Sequence, residues 1–521
     1  MDIIENFRKN SVISNNIYQS VDFFWHVGDQ LGKLNEQKSS NNDNSNDNFE
    51  NLWESLFTKL IVITGDNSPE VRQSSIITIT KLITTNMKFF SSKFWLKISK
   101  DLFIKQIDKI YLKILKNYEE NPHEHPQFHL QTPKFSGIPE TPKFTIPSDN
   151  NSINLMLNHI SAYEKILNLK AWENTLIMLF QSLQKINKRA FLISDIDESL
   201  IQLYIFIFSK FKEIISFLNQ ELVFEFFILI KDFVQNKPVQ ALKTFDFVKE
   251  MLLDYQNSMN HITGEDKMQS KVALQQILPQ TMHIYALYLN FCIQETNCIV
   301  IMNSFIEFFK AAVQFAKKVD SYGVVSHFNL NDDNTFYNVI KEFEGFILLK
   351  SEQVQNQMLL FMIDILNMQI NDRISYLVVL KFMNFFANFI INIDFQENIQ
   401  QVFIQYFLAK IEVLVELRYD YQYLCFHQKL PKNFQFIWKQ AFGVFFQIAE
   451  FLIKKHKSIN HNLFIIFENL LQRPKEKIDQ FQNEDQNLII QEISKIEQAC
   501  IEFIIAQMND ENLVLDDEQY K

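Results

Sequence analysis

Apolar residues recur along this chain at i, i+3, i+4 and i+7, in runs of roughly 15–25 residues separated by short polar breaks, which is the spacing of amphipathic helices. Roughly twenty such segments can be marked, and no stretch alternates apolar and polar residues long enough to suggest a sheet. The expected fold is therefore all-α. With so many helices in one chain, the economical packing is a HEAT/armadillo-type helical-repeat solenoid, an α-α superhelix in which each helix pair buries its apolar faces against its neighbours.

Two spans depart from this pattern. Residues 39–48, SSNNDNSNDN, carry no apolar side chain and are expected to form a disordered loop between helices. Residues 119–150 hold six of the eleven prolines, Pro122, Pro126, Pro133, Pro139, Pro142 and Pro147. Proline removes a backbone donor and clashes with the preceding turn, so no helix runs through this span. It is the expected internal boundary. The resulting organisation is residues 1–118 as N-terminal HEAT-like repeats, 119–150 as a proline-rich flexible loop, 151–508 as a helical-repeat solenoid and 509–521 as an acidic tail.

Composition supports this reading. Only 8 glycines and 11 prolines occur in 521 residues, too few for the many tight turns of sandwiches, barrels or doubly wound sheets. Hydrophobic residues make up 47%, with 52 phenylalanines, which is ample for a continuous core. The formal net charge of -11 disfavours binding along a nucleic-acid backbone. Four cysteines, Cys292, Cys298, Cys425 and Cys500, form neither a disulfide framework nor a CxxC metal pair and point to a reducing, cytosolic setting. The first residues, MDIIENFRKN, lack a signal-peptide core. The greasiest stretches, residues 201–208, 222–230 and 376–393, are short or interrupted by Lys381, Asn384, Asn388 and Asn392, and read as buried helices.

Local signals are strongest at residues 53–83. A helix from Trp53 presents Leu56, Phe57 and Leu60 on the same face as the indole, and the chain then turns through Gly65-Asp66-Asn67. Ser68 is placed to cap a second helix, Pro69 suits its first position, and Glu70 suits the positive end of its dipole. Val71, Ile79, Leu82 and Ile83 supply its apolar stripe. In the next helix Lys105, Lys109, Lys113 and Lys116 lie opposite Phe103, Ile107, Ile110 and Ile114. That basic face reads as solvated, with peripheral contact to anionic lipid or an acidic partner as the alternative. Trp25, Trp53, Trp95, Trp172 and Trp438 read as core anchors.

Chemical motifs are sparse. GxSxG, GxxxxGK[ST] and GxGxxG are all missing. His123, His125 and His129 form the sole histidine cluster, in a proline-rich loop without cysteine, and are not read as a metal site. The duplicate Thr132-Pro133-Lys134-Phe135 and Thr141-Pro142-Lys143-Phe144 is either a pair of proline-directed phosphorylation sites or a low-complexity duplication. No catalytic, metal-ligating or cofactor-binding residue is expected, and no cofactor, nucleic acid or small-molecule substrate.

The series Phe24-Trp25-His26-Val27-Gly28-Asp29, Leu52-Trp53-Glu54-Ser55-Leu56-Phe57, Asp66-Asn67-Ser68-Pro69-Glu70-Val71-Arg72, Phe94-Trp95 and Ala171-Trp172-Glu173-Asn174-Thr175-Leu176 resembles the C-terminal region of the Mon-two (monensin-sensitivity) family. These are scaffolds related to the large Arf guanine-nucleotide exchange factors. The likeness covers about residues 20–190. It implies a non-enzymatic peripheral protein on Golgi and endosomal membranes that works in vesicle-mediated transport with a Dopey-like partner. The chain lacks the long N-terminal region through which the family is thought to dimerise and meet Arf-like GTPases. An acidic nuclear transport receptor is the alternative reading.

Overall fold

The structure is a computed structural model that describes residues 14–39, 46–120, 150–192, 197–212, 219–259, 270, 272–292, 294–321, 352–392, 397–430, 432, 434–456, 498, 501–503 and 505. Among these residues there is no strand, and the chain divides into two compact units, Met1–Phe291 and Cys292–Lys521.

Unit 1 begins with α1 (Ser14–Ser39), α2 (Asn46–Ile63) and α3 (Pro69–Asn86). The α2–α3 connection follows the sequence closely. Gly65 and Asp66 donate their amides to Val62 and Ile63 as the helix unwinds, and Ser68 donates to the Asp66 carboxylate. Ser68 Oγ then accepts from Val71 as the N-cap, with Pro69 in the first turn where its missing N–H costs nothing. Ser75 Oγ donates to the Leu60 carbonyl at 2.7 Å and ties the hairpin. Trp53, Leu56, Phe57 and Leu60 are all fully buried.

The chain continues through α4 (Ser92–Lys97), a π-helical turn at Ile98–Ile104, and α5 (Lys105–Glu120). After residues 121–149 come α6 (Asn150–Ala190), α7 (Asp197–Phe211), α8 (Gln220–Asn236), the short α9 (Pro238–Leu242), α10 (Phe245–Met259) and α11 (Leu278–Phe291). Because α6 packs directly on α3 and α5, the proline-rich span lies within unit 1 rather than between units.

Helices two apart in sequence run parallel, as their side-chain pairings show. Along α1 and α3, Trp25 meets Lys81 and Glu36 meets Lys88. Along α6 and α8, Glu173 accepts from Asn219, Gln184 donates to the Glu225 carbonyl and Lys188 pairs with Asp232 at 3.0 Å. Lys243 with Glu198 and Lys212 with Glu250 relate α7 to α10 in the same sense. In each case the residue numbers rise together. Intervening helices run the other way: Tyr204 stacks on Phe233 and Phe208 meets Phe226, so α7 and α8 are antiparallel. Alternating direction with parallel second neighbours is the construction rule of a helical-repeat solenoid.

Close approach of α1 to α3 uses Gly28 and Gly32. A Cβ at Gly28 would lie 2.5 Å from Leu82 Cδ2, and one at Gly32 would lie 2.5 Å from Asn86 Oδ1.

Unit 2 contains α12 (Glu295–Ser321), α13 (Glu352–Leu366), α14 (Arg373–Asn392), α15 (Glu397–Glu416), α16 (Tyr421–Gln428) and α17 (Ile437–His456). Phe305 against Phe361 and Lys310 against Asp364 set α12 and α13, which flank residues outside those described, parallel. Helices at Thr296–Ser321 and Arg373–Ile391 are long and apolar enough to cross a membrane. Their apolar windows are 50% and 67% buried within the fold, and α14 packs against α12, α13 and α17. Tyr376, Phe382, Phe386 and Ile390 face that core.

Candidate functional site

Two of the motifs quoted above, Asp66–Arg72 and Ala171–Leu176, meet at Arg72, which is fully buried. Its position one turn from the Ser68 cap aims the guanidinium back at the turn it follows. Nη1 donates to the carbonyls of Asp66 at 2.8 Å and Asn67 at 2.9 Å. From the other side, Nε donates to Thr175 Oγ1 at 2.8 Å and Nη2 to the Ala171 carbonyl at 3.1 Å. A planar fork suits this role because several donors leave it in fixed directions. Burial pushes the Arg72 pKa down from its ordinary value, and the charges of Asp66 and Glu70 oppose that shift.

Trp172 completes the node. The Arg72 guanidinium carbon lies 3.8 Å from its ring centroid and Lys113 Nζ lies 3.6 Å from it. Both cations lie within cation–π distance of the one indole. Lys113 titrates below the ordinary lysine value, first because of partial burial and then because of repulsion by Arg72. Lys105, Lys109, Lys113 and Lys116 are all exposed, so the basic face of α5 is solvated; on it Lys105 pairs with Asp101 at 2.9 Å and Lys113 lies over the Trp172 ring.

Trp53, Trp95, Trp172 and Trp438 are buried, and Trp25 is half-buried beneath Lys81 at 4.6 Å. His123, His125, His129, Thr132 and Thr141 lie outside the described residues, as does the acidic tail. Of the loop expected at 39–48, residues 40–45 also lie outside them, but Ser39 ends α1 and residues 46–48 open α2, so the loop is shorter than expected at both ends, because polar residues serve helix ends as well as loops. No group of three His, Cys, Asp or Glu side chains able to hold a metal occurs among the described residues. Cys292 and Cys298 are buried free thiols and Cys425 is a half-buried one.

Unit 2 holds a second assembly that the sequence reading did not single out. His427 stacks on Phe436 with ring centroids 3.6 Å apart, and Tyr423 OH accepts from the Ile437 amide at 3.0 Å. Burial lowers the His427 pKa and nearby Lys439 lowers it further, against a backbone hydrogen bond at Gln435. Beside this cluster opens a groove of about 620 Å³ between the α13–α14 turn and helices α15 and α16. Asn367, Gln369, Asn371 and Gln422 bring side-chain amides to it, and Leu414 and Phe426 bring apolar surface. A signal was present: Asn367-Met-Gln-Ile-Asn371 alternates polar and apolar residues at a helix break, so the groove has amides and greasy side chains from one short turn.

No family model matches the chain, and no curated protein matches it. Among solved structures it is similar to a circular tandem repeat protein with novel repeat topology and enhanced subunit contact surfaces. That similarity is 9% in sequence and spans 95% of this chain and 94% of that one, with a TM-score of 0.22, too low to support any argument.

Proposed function

We propose that this chain is a non-enzymatic peripheral scaffold in vesicle-mediated transport between endosomes and Golgi, binding protein partners on an extended helical surface. One observation supports the reading above others. Three of the five motifs behind the Mon-two resemblance, around Asp66–Arg72, Ala171–Thr175 and Gly28, are structural contacts between repeats rather than isolated words. Arg72 reaches 103 residues along the chain to Thr175, and Gly28 receives Leu82. A likeness in residues that set the spacing of neighbouring helices bears on how the scaffold is built, which is what relatives with different partners would share.

The work of such a scaffold lies in its surface, since stacked helix pairs expose long ridges. By resemblance, the partners are a Dopey-like protein and other Golgi and endosomal machinery. A fluorescent tag at the native locus tests the compartment: punctate overlap with Golgi or endosomal markers is expected, and a uniformly nuclear or diffuse signal would count against the proposal.

A further inference from the structure

On the surface of unit 1 the basic face of α5 stands out, because the fold leaves much of its charge uncompensated. Lys105, Lys109, Lys113 and Lys116 are exposed in one row over about 16 Å of helix. Side chains four apart lie about 5–6 Å from each other, inside the screening length of about 8 Å, so Lys109 is repelled by Lys105 and by Lys113. Asp101 pairs with Lys105 at 2.9 Å and Asp108 is half-buried at the edge of the row, whereas Lys109 and Lys113 pair with no described carboxylate. Arg72 adds its positive charge at Lys113. Among these bases stands Leu112, 54% exposed and within about 20–60° of Lys105, Lys109 and Lys116 around the helix axis.

We propose that this face docks unit 1 on an anionic phospholipid surface, with Lys109, Lys113 and Lys116 meeting headgroup phosphates and carboxylates and Leu112 entering the interface. An acidic protein is the other occupant that such charge attracts. The membrane fits better for two reasons. Lysines are mobile point charges without the directional fork that fixes a carboxylate, and an open helix face with an exposed leucine among its bases matches a laterally continuous anionic layer, where each base contributes separately. The formal charge of the whole chain is -11, so attraction to such a layer has to be local. The inference rests on the peripheral-scaffold reading for its cellular setting but is tested apart from it: purified vesicles report on the face, and the location of the tagged protein reports on the compartment.

Sedimentation of the full chain with phosphatidylcholine vesicles, with and without phosphatidylserine, is the test. Binding is expected only when phosphatidylserine is present, and it weakens as added salt shortens the screening length. At about a factor of five per lysine, Lys109→Gln/Lys113→Gln/Lys116→Gln lowers the partition coefficient about a hundredfold. Because Lys113 lies over Trp172, Lys109→Gln/Lys116→Gln is the companion variant that leaves that contact in place, with a loss of about 25-fold. The charge-matched control Lys185→Gln/Lys429→Gln/Lys432→Gln, at exposed lysines elsewhere, binds as wild type. No binding to phosphatidylserine vesicles overturns the proposal, as does an equal loss in the control, which would make the effect one of net charge. So does retention of wild type, but not of the α5 variants, on immobilised polyglutamate with no vesicle binding, which would assign the face to an acidic protein.

Discussion

Replacing Arg72 by methionine keeps most of the side-chain volume and removes every donor. Four acceptors would then be left without their partner: the carbonyls of Asp66, Asn67 and Ala171, and Thr175 Oγ1, which itself donates to Ala171. A hydrogen bond to a charged group contributes about 1.5–3 kcal/mol, and a desolvated cation–π contact about 2. These gains are offset by the desolvation of a buried guanidinium, so their sum is an overestimate. Breaking a buried charged network by removing one member costs about 3–5 kcal/mol, which is the figure expected here. At about 1.4 kcal/mol per factor of ten, local opening should rise by roughly 150-fold or more. Hydrogen exchange read by mass spectrometry on peptides from α3 and α6 measures this, with α14 peptides as the unaffected reference. Arg72→Lys should recover only part of the protection, since an ammonium cannot reproduce the fork. A change below tenfold in Arg72→Met would refute the account of this node.

Other perturbations follow from the same packing. Gly28→Ala should destabilise unit 1 by about 1–3 kcal/mol, because its Cβ would lie 2.5 and 2.7 Å from the two Leu82 methyls. Gly443→Ala, in a helix with no atom within 4 Å of the added Cβ, should stabilise by about 0.5–1 kcal/mol, and paired thermal melts distinguish the two signs. Tyr204→Phe strands the Asn187 amide, which donates to Tyr204 OH at 2.9 Å, and should cost about 1–3 kcal/mol in denaturant titration. His427 has a folded pKa below its unfolded value near 6.5. The unfolded state therefore takes up the proton first, and stability falls as pH drops from about 6.5 toward the folded pKa. Melts of His427→Asn across pH 7.5 to 5 should lack that slope.

How much of this was legible in the sequence depends on range. The Ser68 cap, Pro69 and the apolar stripes of α2 and α3 act over four residues or fewer, and each stands in the structure where helix chemistry places it. The Arg72 node was half legible. Arg72 and Trp172 stood out as motif members, but nothing local says that a side chain will cross 103 residues to Thr175 or that Lys113, while still exposed, will lie over an indole. The proline cluster suggested a boundary between units, but membership in one unit is decided by α6 packing on α3 and α5, contacts that no local composition announces. The unit 2 groove was missed because its amides gain meaning only when α15 and α16 come to face the turn that carries them.

The central claim, that this chain is a trafficking scaffold, is met most directly by affinity purification of the tagged full chain from its native cell, with identification of the proteins that co-purify. The account predicts a Dopey-like protein or Golgi and endosomal machinery, retained by wild type and diminished when Arg72→Met loosens unit 1. Recovery of nucleoporins and a Ran-type GTPase in their place would contradict it and assign the chain to nuclear transport.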